Sequence, residues 1–217
     1  MSGHTRLLLA TANPGKLHEL RAILAGVPVE LVGLDDVEPG TPPEVEETGA
    51  TFLDNARLKA RTYAAWSGLP AIADDSGLEV DALGGGPGVR SARYAGEGAS
   101  DQENLDKLLK ELAGVPPGRR RARFRCAAVL TDPPGVAPEW REWHVEAAWE
   151  GRILDAPRGS GGFGYDPVFL PDGWDRTSAE VDAATKDAAS HRGRAFRALR
   201  PAIQALAAER IGHCSPR

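Results

Sequence analysis

The chain has 217 residues, 41% of them hydrophobic and 26% charged, with a formal net charge of −5. That is an ordinary globular composition, long enough for one sizeable core or two small lobes around a cleft, and its negative balance argues against a nucleic-acid partner, whose phosphates call for a basic surface. Cys126 and Cys214 have no CxxC or His/Cys cluster beside them, which speaks against a disulfide framework and a zinc site. The short apolar run near the N-terminus suits neither a signal peptide nor a membrane span, so a cytoplasmic protein with no membrane partner is expected.

In chain order, Arg6–Thr11 (RLLLAT) reads as a buried strand. Asn13-Pro14 then resembles a helix cap followed by proline at the first helical position, and Leu17, Leu20, Ile23 and Leu24 form a stripe that stops before Gly26. Val29–Leu34 fits a second strand, and residues 35–50 are an acidic, proline-rich loop. A helix is expected from Thr51 to Trp66, then a strand over Leu69–Ala73 that ends in an Asp74-Asp75-Ser76-Gly77 turn. Residues 84–88 (GGGPG) mark a loop. Ser100 and Glu103 form a capping-box pattern ahead of Leu105, Leu108 and Leu112.

Two period-2 runs follow: Ala122, Phe124, Cys126, Ala128 and Leu130, then Trp143, Val145, Ala147 and Trp149. Joined by TDPPGVAP, they predict an antiparallel hairpin with one buried face. Cys126 belongs to that core, while Cys214 falls in a tail. A final helical pattern runs through Phe196, Leu199, Ile203 and Leu206 across Pro201. No repeat or linker divides the chain, so one domain is expected, with its core over 6–208 and a tail over 209–217.

Four constellations invite chemistry. Thr11–Lys16 (TANPGK) is a strand-to-helix turn whose N–H groups and lysine suit a phosphate, although the same residues suit a plain capped helix start. It lacks the GxxxxGK[ST] pattern of a Walker loop. Asp74 and Asp75 are either an Asp-rich turn or a pair that holds Mg²⁺ and activates water. Glu46-Glu47 is a second acidic pair. Gly159, Gly161 and Gly164 spell GxGxxG, but Tyr165-Asp166-Pro167 cannot open the helix that a dinucleotide site requires. Phe163 and Tyr165 suit either stacking on a flat base or a place in the core. Lys186, Ser190, His191 and Arg192 offer cationic donors or a solvated cap. Lys59 by itself is a surface lysine of an amphipathic helix.

Taken in order, TANPGK, EETGATFLDNARLKA, ADDSGL, GGPGVRSARYAG, GGFGYDPVF and SHRGRA resemble the inosine triphosphate pyrophosphatase family, its bacterial XTP/dITP diphosphatases in particular. The similarity runs from about Leu7 to Leu206. It implies an elongated α/β fold with a mixed twisted sheet, flanking helices and two lobes around a central nucleotide-binding cleft, usually as a homodimer. It also implies Mg²⁺-dependent hydrolysis of deaminated purine nucleoside triphosphates to monophosphate and pyrophosphate. By the same resemblance, Asp75 is the proton acceptor. Thr11, Ala12, Asn13, Pro14, Gly15, Lys16, Lys59, Ser76, Phe163, Gly164, Tyr165, Asp166, Lys186, His191 and Arg192 contact substrate. Magnesium falls to Glu46 or Glu47, with Asp75 and Asp74.

Overall fold

The computed structural model describes residues 5–38 and 40–213; Cys214 lies outside them. Strand β1 (Thr5–Leu9) buries Leu7, Leu8 and Leu9 completely, as its apolar run requires. Helix α1 (Pro14–Ile23) starts where the sequence signals it: Asn13 accepts a hydrogen bond from the Lys16 N–H and proline occupies the first turn. Strand β2 (Val29–Val32) follows, and an acidic segment leads to helix α2 (Phe52–Ser67). Thr51 caps α2 at one end and Gly68 closes the other in a left-handed conformation, φ 67°.

Strand β3 (Ala71–Val80) departs from expectation. The sequence places a turn at Asp74-Asp75-Ser76-Gly77, but the strand runs straight through it. Leu78 and Val80 are fully buried beyond the motif, and the Leu78 N–H is taken up by the Ser91 hydroxyl. Burial on the far side thus overrides the local turn chemistry.

Helix α3 (Asp101–Glu111) has the expected Ser100/Glu103 capping box. Strands β4 (Arg121–Asp132) and β5 (Arg141–Ile153) are neighbours in one sheet of order β2-β1-β3-β4-β5-β6, where β6 is Phe169–Pro171. β1 runs parallel to β2 and β3, and β5 antiparallel to β6, so the sheet is mixed, as the fold class requires. The one-face alternation expected of β4 holds only to Cys126; from there to Asp132 every residue is buried, as suits an interior strand. On β5 the opposite occurs: Trp149 is buried, but Trp143, Val145 and Ala147 stay half-exposed. Helices α4 (Ala183–Ala189) and α5 (His191–His213) complete the chain. α5 continues through Pro201 and into the stretch read as tail.

The described residues divide into two compact units. One takes in residues up to Asp75, Ala127–Glu146 and those from Ala195 on; the other comprises Ser76–Cys126 and Ala147–Arg194. In the first, Asp132 is wholly buried and is held by Arg141 and Arg210, which tie α5 to β4 and β5. In the second, Phe169 is wholly buried against Phe124, at 4.6 Å between ring centroids, and Trp149, at 5.4 Å. Gly151 faces that packing: a Cβ there would lie 2.4 Å from the Leu170 carbonyl oxygen and 2.8 Å from the Phe169 ring. We expect Gly151→Ala to loosen the β5–β6 pairing and to destabilise the protein by about 2 kcal/mol, the usual scale of overpacking. Urea unfolding monitored by Trp fluorescence would read this as a lower midpoint.

Candidate functional site

The first unit gathers three separate segments around Asp74 and Asp75. Thr11 and Asn13 shape the loop after β1: the Asn13 N–H donates to Thr11 Oγ1 at 3.2 Å, and Asn13 Oδ1 accepts from the Lys16 N–H at 3.0 Å. Ala12 and Pro14 lie exposed on this turn, with Gly15 half-buried. The loop sends Lys16 Nζ to within 2.9 Å of Asp74 Oδ2. Lys59, on α2, is no surface lysine: its Nζ stands 2.6 Å from Glu47 Oε1 and 3.2 Å from Asp75 Oδ1. Glu46 points elsewhere. It is exposed and, with Glu44, Val45, Leu58 and Thr62, lines an open groove of about 430 Å³. Neighbours on an extended segment face opposite ways, so of the two glutamates Glu47 is the one that meets Asp75 through a shared cation.

Glu47, Asp74 and Asp75 carry three acids, and Lys16 and Lys59 answer with two bases. The imbalance shows in both partners. Burial pushes the Asp75 carboxyl above the usual carboxylate range; the charges of Lys59 and Lys16 and a hydrogen bond from Asn55 oppose the rise, and Glu47 adds to it. Burial works against the Lys59 ammonium, but Asp75, Glu47 and Asp74 outweigh it and hold its pKa above normal.

A cluster of hard carboxylate oxygens suits a divalent cation. Among the described residues no three His, Cys, Asp or Glu side chains form a ready-made cage. Mg²⁺ does not need one, since it commonly takes one or two carboxylates and completes its shell with phosphate oxygens and water.

The second unit holds the glycine-rich stretch. Its centre is Asp166, buried to 2% exposure. Asp166 Oδ2 accepts from the Phe163 N–H at 2.9 Å and from Lys186 Nζ at 2.6 Å, and Oδ1 accepts from the Ser178 hydroxyl at 2.9 Å. This carboxylate faces inward and braces the loop. The Gly164 N–H is held by Asp101 at 2.7 Å. The two aromatics part company. Tyr165 is core, with its hydroxyl donating to the Ser91 carbonyl at 2.8 Å. Phe163 is half-buried, with Lys186 Nζ 4.7 Å and the Arg192 guanidinium 5.6 Å from its ring centre. His191 is buried and stacked on Phe124 at 4.9 Å. Ser190 ends α4 and accepts from the Gly193 N–H at 3.1 Å, so the cations do flank a helix start. Ser76 is half-buried on β3.

Sequence reasoning passes over Asn55, Asp101 and Ser178 as functional positions. Asn55 alone leaves a signal: a polar residue four positions before Lys59, on the same helix face, within an otherwise apolar stripe.

Lysines set against buried acids meet anions, and a phenyl ring roofed by two cations meets flat, polar groups. Those capacities on a mixed-sheet scaffold define an α/β protein of the nucleotide-binding class. The sequence pattern of the Ham1 family matches residues 7–202. The chain is 53% identical over 204 residues to the dITP/XTP pyrophosphatase of Streptomyces coelicolor, covering 93% of this chain and 98% of that protein. To the dITP/XTP pyrophosphatase of Nocardia farcinica it is 55% identical over 205 residues, with 93% and 96% covered. The HAM1 protein of Coxiella burnetii superposes with a TM-score of 0.80 at 39% identity, covering 93% of this chain and 99% of that one. The chain belongs to the Ham1 family.

Gly162 sits at φ 72°, and a Cβ there would fall 2.0 Å from Asp166 Oδ2. Gly164, at φ 61°, has nothing within 4 Å of the same position. Gly162→Ala should therefore lose stability through both strain and clash, about 3 kcal/mol, and Gly164→Ala through strain alone, about 1 kcal/mol. Paired chemical denaturation curves would show the difference.

Proposed function

We propose that the chain hydrolyses deaminated purine nucleoside triphosphates (ITP, dITP and XTP) to the monophosphate and pyrophosphate, and so cleanses the nucleotide pool. The observation that carries the chemistry is Asp75: buried, raised in pKa, and held at one oxygen by Lys59 and at the other by Asn55. Names shared by relatives at about half identity over nearly full length support the substrate class.

Water attacks the α-phosphorus and gives a proton to Asp75 as the bond to the bridging oxygen breaks, and pyrophosphate leaves with that electron pair. A raised pKa brings the base nearer to neutral pH, where proton transfer is most effective. Lys16 and Lys59 are placed to neutralise phosphate oxygens, with the N-terminus of α1 beside Lys16. Glu47, with Asp75 and Asp74, would hold Mg²⁺, which when bound supplies the missing positive charge and polarises phosphate oxygens.

In the second unit Phe163 offers a stacking face, and Lys186, Arg192 and backbone N–H groups offer donors, with His191 behind them. Deamination turns a 6-amino donor into a 6-keto acceptor, so a donor-lined pocket accepts hypoxanthine and xanthine and rejects adenine. Tyr165 and Asp166 act behind that surface, by packing and bracing. The reading extends to a homodimer at work in the cytoplasm, as the family resemblance implies.

With ITP, dITP, XTP, GTP and ATP assayed for pyrophosphate, turnover is expected with the first three, only with Mg²⁺, and to fall about a thousand-fold in Asp75→Asn while nucleotide binding persists. Near-normal release by that variant would remove Asp75 from its role. The pH dependence carries a sign. A base acts when ionised, so kcat/KM should fall as pH drops through the raised Asp75 pKa. Lys59→Met removes the main opposing charge and should move that acid limb to higher pH. A limb unmoved in pH–rate profiles would contradict the assignment.

A further inference from the structure

Asn55 lies in the first turn of α2 with 0% of its surface exposed, a costly place for an amide unless both ends are satisfied. Both are. Its Oδ1 accepts from the Gly49 N–H at 2.7 Å, and its Nδ2 donates to Asp75 Oδ2 at 3.1 Å. A backbone N–H can only donate, so the amide has one possible orientation. Gly49 is fitted closely to this arrangement: a Cβ there would stand 2.6 Å from Asn55 Oδ1 and 2.7 Å from Asp54 Cβ. One turn further along the helix, Lys59 takes the other oxygen of Asp75 and reaches Glu47. Two residues on one helix face thus grip Asp75 by separate oxygens, and each also holds the Glu47–Gly49 segment.

We propose that Asn55 is a positioning residue for hydrolysis: it fixes the plane of the Asp75 carboxylate and couples it to the segment that carries Glu47. This rests on the reading of Asp75 as the base. Aiming is worth a great deal, because displacing a reacting group by about 1 Å can cost about a hundred-fold in rate. A carboxylate free to turn about its Cα–Cβ and Cβ–Cγ bonds would lose that aim without weakening the hold on the nucleotide.

Two variants separate the two bonds. Asn55→Asp keeps an acceptor for Gly49 but presents an oxygen to Asp75 in place of the donor. Asn55→Ala removes both. Steady-state kinetics with ITP and Mg²⁺, thermal melting, and amide exchange at Gly49 by NMR are the measurements. For Asn55→Asp we expect kcat to fall about a hundred-fold with KM within about threefold and the Gly49 amide still protected. For Asn55→Ala we expect a similar loss of kcat, together with rapid Gly49 exchange. A residue that only fills the core would lower the melting temperature and leave kcat of the folded protein in place. A kcat within about threefold of wild type in the folded Asn55→Ala variant overturns the proposal, and that variant decides alone if Asn55→Asp does not fold. A wild-type chain that turns over none of the triphosphates sinks both the pyrophosphatase reading and this role; a wild type that turns over while the variants keep their kcat sinks this role alone.

Discussion

Everything chemical in the first unit depends on like charges held close together. Three carboxylates and two ammonium groups share a largely buried space, and burial magnifies whatever does not cancel. An evenly paired cluster would be quieter and of less use. Burial raises Asp75, and the three carboxylates together strengthen the hold on the Lys59 proton and offer hard oxygens to a further cation. It also carries a cost: gathering carboxylates in a buried space works against folding in the absence of ligand, the recurrent cost of an active site.

Local features of the fold are legible in the sequence. The Asn13-Pro14 start of α1, the Thr51 cap of α2 and the Ser100/Glu103 box are local signals, and local hydrogen bonding decides such features. β3 was misjudged at its midpoint, because Asp-Ser-Gly speaks for a turn and only the burial of Leu78 and Val80, supplied by distant parts of the chain, speaks against it. The half-exposed face of β5 escaped for the same reason. Alternation tells which residues share a face, not whether anything covers it.

In the site itself, residue types were easier to foresee than directions. Lys59 by its helix pattern is a solvated lysine; the family resemblance makes it a substrate contact, and only the fold shows Glu47 and Asp75 around it. Phe163 and Tyr165 form one motif in the sequence but do different work in the fold, because one ring meets cations and the other meets the core. Asp166 matches a ligand-binding block, yet its oxygens are spent on Phe163, Lys186 and Ser178, so it acts on the loop from behind. Two identical letters, Glu46 and Glu47, say nothing of direction; the backbone turns Glu47 toward Lys59 and leaves Glu46 exposed.

The wholly buried Asp132 gives the final turns of the last helix an importance of their own. One of its two arginine partners, Arg210, sits in the final turns of α5. A nonsense mutation shortly before that codon would leave every proposed catalytic and substrate-binding side chain encoded, yet would strand a carboxylate inside the protein with half its compensation gone. Loss of function from such an allele would be a defect of folding rather than of chemistry, and the cell would register it as low abundance.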